Sequence, residues 1–320
     1  MKQNRTQFQK GMSLTEFLSR WGSEAQCRDS VERSRWPDGF RCPECECTAH
    51  SRFDRGNQRY YQCRSCRHQT SLSSGTLFES SKLPLRTWFL GLHLLTATKT
   101  NLSALELKRQ LGLCYRSAWR LKHKVMQAMT SAEESRKLNG LVQVDDAYLG
   151  GERNGGKPGR GSENKQALLI AVETEHSGDY PRYAVIEPVR GFTDVSIIDW
   201  AERRLAPQAE VVSDGLFAFR RFNELGHAHT VLTGLVRRAA TQHPKARWAN
   251  IVLANVKRAI SGRYHSIRQA KYARRYLAEA AYRFNRRFHL RQMLPDLIAV
   301  MSCANPLSER RLRLATNYLS

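Results

Sequence analysis

Four cysteines have the spacing of a metal site. Cys42 and Cys45 form one C-x-x-C pair, and Cys63 and Cys66 form a second pair, with 17 residues between the two pairs. Two intervening residues let both sulfurs of a pair turn toward one ion, and four thiolates are typical ligands of structural zinc. The spacing therefore predicts a zinc ribbon whose Zn²⁺ stabilises the fold and has no open position for catalysis.

The remaining cysteines and nearby histidines fit this pattern less well. Three residues are alternative ligands, although each of them breaks the C-x-x-C spacing: Cys47, His50 and His68. Three further cysteines stand alone in the sequence and are expected to be buried small hydrophobic residues: Cys27, Cys114 and Cys303.

Three aspartates at predicted strand ends are candidates for a second metal site. Asp145 and Asp146 lie in the strand-like segment VQVDDAYL, and Asp214 directly follows the short apolar strand EVVS. Side chains alternate along a strand, so only one of the first two is expected to face the other functional groups. Carboxylate oxygens suit Mg²⁺ or Mn²⁺, which assist displacement at a phosphate. Structural aspartates are common, so these residues alone do not establish chemistry.

The charge of the chain indicates a polyanionic partner. The 320 residues contain 52 Lys and Arg against 29 Asp and Glu, which gives a formal net charge of +23. Nucleic acid is the expected partner, although a merely basic surface would have the same composition. No run approaches 18 apolar residues, and the first residues lack the apolar stretch of a signal peptide, so we expect a cytoplasmic protein without a membrane partner.

The first half of the chain reads as three consecutive parts. We predict a helical segment over residues 1–35, the zinc ribbon over 36–80 and a helix-turn-helix region over 81–130. In the last of these, a helix from about Ser103 to Leu111 is followed by a turn and a second helix from Tyr115. Three cations recur along that second helix at intervals of four residues and are candidates for DNA binding, with a solvated helix face as the alternative: Arg116, Arg120 and Lys124.

The second half changes from helical to extended periodicity. Three strands, a helix, a strand and further helices over residues 140–290 are the order of a ribonuclease-H-like α/β domain. Residues 150–165 contain six glycines and are predicted to be a loop. Residues 291–320 form a C-terminal tail. The predicted fold class is multidomain α+β: zinc ribbon, helix-turn-helix, then the ribonuclease-H-like catalytic domain.

Several segments together resemble one protein family. They are RWPDGFRCPEC, YQCRSCRHQTSLSSGTLF, VDDAYLGG, VVSDGLFAF, RWANIVLANVKRAISGRYH and RYLAEAAYRFNRRF, in order from about Arg35 to Phe288. They look like the bacterial insertion-sequence transposases that join a zinc ribbon to an ISXO-type catalytic domain. That family acts through Asp, Asp and a third Glu or Asn, followed by Lys.

The resemblance assigns these catalytic positions to residues of this chain. The two aspartates match Asp145 and Asp214, the third position matches Asn250, and the lysine matches Lys257. The first three would bind Mg²⁺ or Mn²⁺, and Lys257 would face a DNA phosphate. Seven residues are two helical turns, so Asn250 and Lys257 share a helix face.

Two other residues are alternatives for the third position. Asn255 precedes Lys257 by two residues and is expected to point off that helix face. Glu279 lies in the next predicted helix and is expected to pair with Arg275 or Arg283 at a spacing of four residues.

The resemblance implies a transposase that recognises terminal inverted repeats in double-stranded DNA, cuts the strands and joins the 3′ ends to target DNA. It also implies a homo-oligomer on paired ends and a location at the bacterial nucleoid. The alternative is a catalytically inactive transposase derivative that binds DNA through the same basic region. The change from Glu to Asn at the third position keeps that alternative open.

Overall fold

The structure is a computed structural model that describes residues 9–56, 58–98, 101–149, 166–232, 242–264 and 269–315. The predicted glycine-rich loop, residues 150–165, lies outside these ranges. Within them, no helix combines the length and the apolar character needed to cross a membrane. The chain divides into two compact units, 1–128 with 286–314 and 129–285 with 315–320.

The helices and strands alternate in blocks along the chain. The helices are α1 Leu14–Trp21, α2 Glu24–Arg35, α3 Leu85–Ala97, α4 Ala104–Leu111, α5 Tyr115–Glu134, α6 Asp194–Arg204, α7 Arg221–Glu224, α8 Arg247–Ser261, α9 Gln269–Asn285, α10 Met293–Cys303 and α11 Glu309–Leu314. The strands are β1 His50–Arg55, β2 Gln58–Cys63, β3 Gln69–Ser71, β4 Leu141–Leu149, β5 Gln166–Thr174, β6 Pro181–Pro188, β7 Glu210–Ser213 and β8 Ala228–Val231.

In the first unit, β1, β2 and β3 form an antiparallel sheet in that order. The aromatic ring of Tyr61 is fully buried in this small sheet and packs against Trp36 at 4.7 Å and Phe40 at 5.1 Å between ring centroids. This aromatic group supplies the apolar contacts of a ribbon that is otherwise too small for a core of its own.

The helices of the first unit pack around the buried stripe of α3. Trp88, Phe89, Leu92 and Leu95 are all buried, as their helical spacing predicts. Helix α10 contacts both α2 and α3, so residues near the end of the chain belong to the core of the N-terminal unit.

The predicted helix-turn-helix is present. The Ser103 hydroxyl accepts a hydrogen bond from the Glu106 amide and starts α4. Gly112 ends that helix with a φ of +64°, a conformation that glycine adopts without a steric cost. Helix α5 then begins at Tyr115, as the sequence indicates.

The second unit contains a five-stranded sheet in the order β6-β5-β4-β7-β8. The first three strands pair antiparallel, whereas β4, β7 and β8 run parallel. Strand β5 is buried over almost its whole length, because α6 covers one face of the sheet while α8 and α9 contact β4, β5 and β6. The multidomain α+β class and the predicted order of three strands, a helix and a strand are confirmed.

The apolar spacing of the segment LFAFRRFNEL, residues 216–225, predicts one helix, but this helix is broken in the structure. The segment after Asp214 forms a 3-10 helix at Phe217–Arg220 and then the single turn α7. Phe219 and Phe222 are fully buried against Trp200 of α6. Burying these rings so soon after the end of β7 fixes the chain that follows Asp214 against the sheet.

Candidate zinc and catalytic metal sites

The four cysteines of the C-x-x-C pairs lie together. The Sγ atoms of Cys42 and Cys66 are 3.6 Å apart, and those of Cys45 and Cys63 are 3.5 Å apart. All four sulfurs lie within 4.8 Å of one another. Zinc–sulfur bonds of about 2.3 Å in a tetrahedron place the sulfurs about 3.8 Å apart, so the cluster has the size of a four-thiolate site. It is the structural zinc site of the ribbon.

The two C-x-x-C turns have the same backbone form. The amide of Glu46 donates to the carbonyl of Cys42 at 2.9 Å, and the amide of Arg67 donates to that of Cys63 at 3.2 Å. Glu46 and Arg67 have φ values of +60° and +64°, which are uncommon for residues with a side chain. Both turns adopt this conformation directly after their second cysteine, so the same geometry presents each pair of sulfurs.

The alternative ligands do not join the cysteine cluster. Among the described residues, the group with metal-binding geometry contains only the four paired cysteines. The sulfur of Cys47 faces the carbonyl of Ala49, and the ring Nδ1 of His50 lies 2.8 Å from the carbonyl of Thr48.

The expectation for the isolated cysteines is correct for only one of them. Cys27 is buried, with its sulfur 3.4 Å from the carbonyl of Trp21. Cys114 and Cys303 are exposed, so the prediction that they are buried was wrong. Cys114 precedes α5 in the turn, and Cys303 ends α10, and neither position faces the core.

The three candidate aspartates, Asp145, Asp146 and Asp214, also lie together and form one acidic group. Asp145 and Asp146 are on β4, which pairs in parallel with β7, and the pairing of Val144 with Ser213 places Asp214 beside them. Each of the three carboxylates offers an oxygen within 4.8 Å of the others. The Asp214 carboxylate also accepts the Leu216 amide at 3.1 Å, which orients it at the end of its strand.

The presence of Asp146 differs from the sequence-based expectation. Strand alternation predicts that only one of two adjacent aspartates reaches the site, yet both carboxylates belong to the group. Both residues are half-buried, whereas the four residues before them on β4 are all buried. The regular burial of the strand therefore ends where the acidic group begins, and local alternation does not decide which residues meet there.

The electrostatics of the acidic group favour a bound cation. Burial and the negative charges of Asp146 and Asp214 together raise the pKa of Asp145 to about 6. The positive charge of Lys257 opposes that rise. Clustered carboxylates that repel one another bind a divalent cation favourably, because the cation removes the repulsion.

Asn250 and Lys257 lie on α8, the helix that contacts β4. Asn250 is half-buried, and its amide nitrogen donates to the carbonyl of Ala246 at 3.1 Å, so the amide oxygen is its candidate metal-binding atom. Lys257 is exposed, and its charge acts on Asp145.

The alternatives for the third position occupy different surroundings. Glu279 on α9 is fully buried and forms an ion pair of 3.3 Å with Arg283, as its spacing predicts. Asn255 is exposed on α8, two residues before Lys257. Neither observation connects these residues to the acidic group.

The predicted basic stripe on α5 is divided by the structure. Arg116 is exposed and Arg120 partly exposed, and their guanidinium groups lie 2.8 Å and 3.7 Å from the carboxylate of Glu309 on α11. Lys124 is buried instead, and its ammonium group donates to the carbonyls of Leu77 at 2.7 Å and Glu79 at 3.0 Å.

This placement corrects the assignment of Lys124. A buried ammonium group bound to two backbone carbonyls is not available to a phosphate, and burial lowers the pKa of Lys124 to about 8. The helical spacing gives no sign of this, because the carbonyls that bind the lysine come from residues more than forty positions earlier. The accessible basic face of α5 is therefore formed by Arg116 and Arg120.

Comparisons with known proteins match the two parts of the chain that contain these sites. The family model described as an ISXO2-like transposase domain matches residues 137–285, and the one described as a transposase zinc-ribbon domain matches residues 22–69. Together they span more than half of the chain. A protein of Halobacterium salinarum, named as an uncharacterized protein in transposable element ISH50, is 28% identical over an aligned length of 219 residues. The match covers 63% of this chain and 71% of that protein.

A transposase zinc ribbon followed by an ISXO2-like transposase domain makes this a DNA-processing protein of the transposase class. The chain belongs to the insertion-sequence transposases that carry a transposase zinc ribbon and an ISXO2-like transposase domain.

Proposed function

We propose that this transposase binds the terminal inverted repeats of its element, cleaves the DNA strands and joins the freed 3′ ends to target DNA. The observation that carries the proposal is the acidic group of Asp145, Asp146 and Asp214, in which burial and the two neighbouring negative charges raise the pKa of Asp145 to about 6. Such a group fits a site for Mg²⁺ or Mn²⁺ where the parallel pairing of β4 with β7 ends.

Asp145, Asp214 and Asn250 are the proposed ligands, and Asp146 is an additional candidate from the structure. A bound divalent cation would acidify the attacking hydroxyl or water and neutralise the leaving oxygen. Lys257 would hold a DNA phosphate beside the carboxylates, consistent with its electrostatic effect on Asp145.

Two displacements at phosphorus account for the reaction. In cleavage, a water oxygen forms a bond to the phosphorus at the element's end, and the bond to the 3′ oxygen breaks to leave a 3′ hydroxyl. In joining, that hydroxyl attacks a target phosphodiester and displaces the target's own 3′ oxygen, which takes up a proton. Cleavage converts a phosphodiester and water into a 3′ hydroxyl and a 5′ phosphate, joining exchanges one phosphodiester for another, and neither step needs a redox partner.

The zinc ribbon and the basic face of α5 are the proposed DNA-binding parts. Arg116 and Arg120 lie on one side of the second helix of the helix-turn-helix, at the spacing expected for contacts to a DNA backbone. We also propose that the protein acts as a homo-oligomer on paired ends.

Purified full-length protein, DNA that carries the terminal repeats, and Mg²⁺ or Mn²⁺ test the catalytic part. We expect nicked and joined products that fall by about a thousandfold or more in Asp145→Ala and Asp214→Ala, because charge stabilisation of the displacement is lost. Asn250→Ala should also lower joining, whereas all three variants should retain binding to the ends.

Asp199→Ala is the matched control. This aspartate lies on α6 of the same unit, outside the acidic group, and pairs with Arg203 at 3.0 Å. It should join DNA at the wild-type rate. Tight binding of the ends by the wild type without any cleavage in either metal would contradict the proposal and favour an inactive, DNA-binding derivative.

A further inference from the structure

A buried glutamine lies on the same strand as the first candidate catalytic aspartates. Gln143 on β4 is 1% exposed and precedes Asp145 by two residues, so the strand presents both side chains on one face. A buried amide group needs hydrogen-bond partners, because burying it without them costs free energy. Gln143 finds these partners at the start of α8.

The start of α8 lacks a capping side chain of its own. Its N-cap residue is Ala246, whose side chain cannot accept a hydrogen bond, whereas the first amides of any helix have no partner within the helix. The Gln143 Oε1 atom accepts the amides of Trp248 at 2.9 Å and Ala249 at 3.3 Å. Its Nε2 atom donates to the carbonyl of Pro244 at 2.8 Å.

Gln143 therefore caps the helix from outside. Its one side chain satisfies two amides of the first turn and a carbonyl that precedes it, which fixes the helix start against β4. Capping stabilises a helix, and here the capping group also belongs to the strand of the acidic group.

A second attachment holds the other side of the same turn. The indole of Trp248 donates to the carbonyl of Gly178 at 3.1 Å, and Arg247 donates to the carbonyl of Asp179 at 2.8 Å. Both acceptors lie in the turn between β5 and β6. This attachment anchors the helix to the edge of the sheet, whereas the Gln143 contacts anchor it to the strand of Asp145.

We propose that Gln143 is a positioning residue that sets the location of Asn250 and Lys257 relative to Asp145. Asn250 follows Ala249, whose amide Gln143 holds, and Lys257 is two helical turns further along the same helix. A shift at the first turn of α8 moves both side chains together. This inference rests on the proposed function, since it concerns the geometry of that same site.

The chemistry of the side chain explains the choice of glutamine. Its oxygen accepts two amides while its nitrogen donates to a carbonyl, a combination that neither leucine nor glutamate offers. Gln143→Leu keeps a similar volume and removes all three bonds. Gln143→Glu keeps the two accepted bonds, with a negative charge that suits a helix N-terminus, and loses the bond to Pro244.

Amide hydrogen exchange of the full-length protein, with zinc in the ribbon and without Mg²⁺ or Mn²⁺, is the first measurement. In Gln143→Leu, the amides of Trp248 and Ala249 should exchange at least tenfold faster, while the paired amides of β4 and β5 keep their wild-type protection. Gln143→Glu should protect both helix amides nearly as well as the wild type. Equal protection of the two amides in the wild type and Gln143→Leu would overturn the proposal.

Joining rate, end binding and Mn²⁺ affinity form the second set of measurements. Residues that orient metal ligands typically change affinity or activity by 10- to 100-fold, so Gln143→Leu should lose about that much in joining rate and bind Mn²⁺ more weakly. Its affinity for end DNA should stay within twofold of the wild type. Gln143→Glu should recover most of both losses.

A second strand glutamine provides the control. Gln166 on β5 donates to the carbonyls of Ala167 and Val189, both of which lie outside α8, so Gln166→Leu should leave joining and Mn²⁺ affinity unchanged. Wild-type joining in Gln143→Leu, or equal losses in the leucine and glutamate variants, would overturn the proposal. If Gln143→Leu does not fold, rapid exchange of the two helix amides in Gln143→Glu would overturn it.

The two proposals can fail separately. If the wild type joins no DNA in either metal, the proposed function fails. The exchange of the two helix amides and the binding of Mn²⁺ still show whether Gln143 positions α8 against the acidic group.

Discussion

The ionised carboxylate of Asp145 destabilises the folded, metal-free protein, although the same carboxylate is a proposed metal ligand. Burial and the charges of Asp146 and Asp214 raise its pKa from 3.8 to about 6. At pH values between 3.8 and about 6, Asp145 is therefore more protonated in the folded protein than in the unfolded chain. In the metal-free protein, the destabilisation by this carboxylate appears as pH rises above about 4 and is fully present above about 6.

Asp145→Asn should therefore stabilise the metal-free protein at pH 7. The shift of about two pKa units corresponds to at most about 3 kcal/mol, and solvent screening reduces the expected gain to about 1–2 kcal/mol. Urea unfolding of the second unit at pH 7 measures this gain in the free energy of unfolding, which should shrink as the pH is lowered toward 4. The same variant should lose both DNA joining and stabilisation by Mn²⁺.

Asp199→Asn is the control for this stability measurement. It removes a carboxylate that pairs with Arg203 on the surface, so its free energy of unfolding should stay equal to that of the wild type or decrease slightly. A metal-free Asp145→Asn protein that is less stable than the wild type at pH 7 would show that burial and repulsion of the Asp145 charge do not dominate its effect on stability.

At the scale of elements, α5 and α11 form a charged contact within the first unit. Besides the pairs of Arg116 and Arg120 with Glu309, the guanidinium group of Arg313 lies 4.6 Å from the ring centroid of Trp119. The Glu309 carboxylate thus occupies the place where the proposed function puts a DNA phosphate. DNA that binds this face must displace or share that carboxylate.

Glu309→Gln should strengthen the binding of end DNA. Removing the competing charge frees the guanidinium groups of Arg116 and Arg120, and also that of Arg313, which pairs with Glu309 at 2.8 Å. Exposed ion pairs of this kind contribute about 0.2–1 kcal/mol, so affinity should rise about two- to fivefold at constant salt. Fluorescence anisotropy with labelled end DNA measures this change.

Glu16→Gln serves as the matched control for Glu309→Gln. Glu16 lies in the same unit and pairs with Arg20 at 3.0 Å, and its replacement changes the net charge of the protein by the same amount. An equal gain in the two variants would mean that total charge, and not the face of α5, determines the effect.

The elements that the sequence predicted best are those with local signals. The C-x-x-C spacing predicted the cysteine cluster, and Ser103 and Gly112 predicted the bounds of α4, because ligand spacing and helix ends depend on neighbouring residues. The order of strands and helices in the second unit follows from hydrophobic periodicity, which is also a local property.

The features that the sequence did not predict depend on distant partners. In the sequence, Lys124 looks like one more cation of a surface stripe. In the structure it is buried, and its ammonium group donates a hydrogen bond to the backbone carbonyl of Leu77. Gln143 reads as an interruption of an apolar strand, but it caps a helix that begins 104 residues later, at Arg247. Asp146 reads as the solvent-facing neighbour of Asp145. Only the tertiary fold reveals these three roles.

At the scale of the whole molecule, the two units are stabilised differently. The second unit has a large apolar core between its sheet and α6, which includes the buried rings of Trp200, Phe219 and Phe222. The ribbon of the first unit has a three-stranded sheet and one buried aromatic group, so its zinc supplies much of its folding free energy. Loss of zinc should therefore affect the two units unequally.

Chelation of zinc, or Cys42→Ser, should unfold the ribbon and leave the second unit folded. Specific binding of the terminal repeats should be lost, whereas amides of β4 and β5 should stay protected from exchange and the acidic group should still bind Mn²⁺. Cys303→Ser, which changes an exposed cysteine outside the cluster, is the control and should bind the ends as the wild type does. Retained specific binding by the zinc-free protein would contradict a recognition role for the ribbon. Unfolding of β4 and β5 together with the ribbon would contradict independent stability of the second unit.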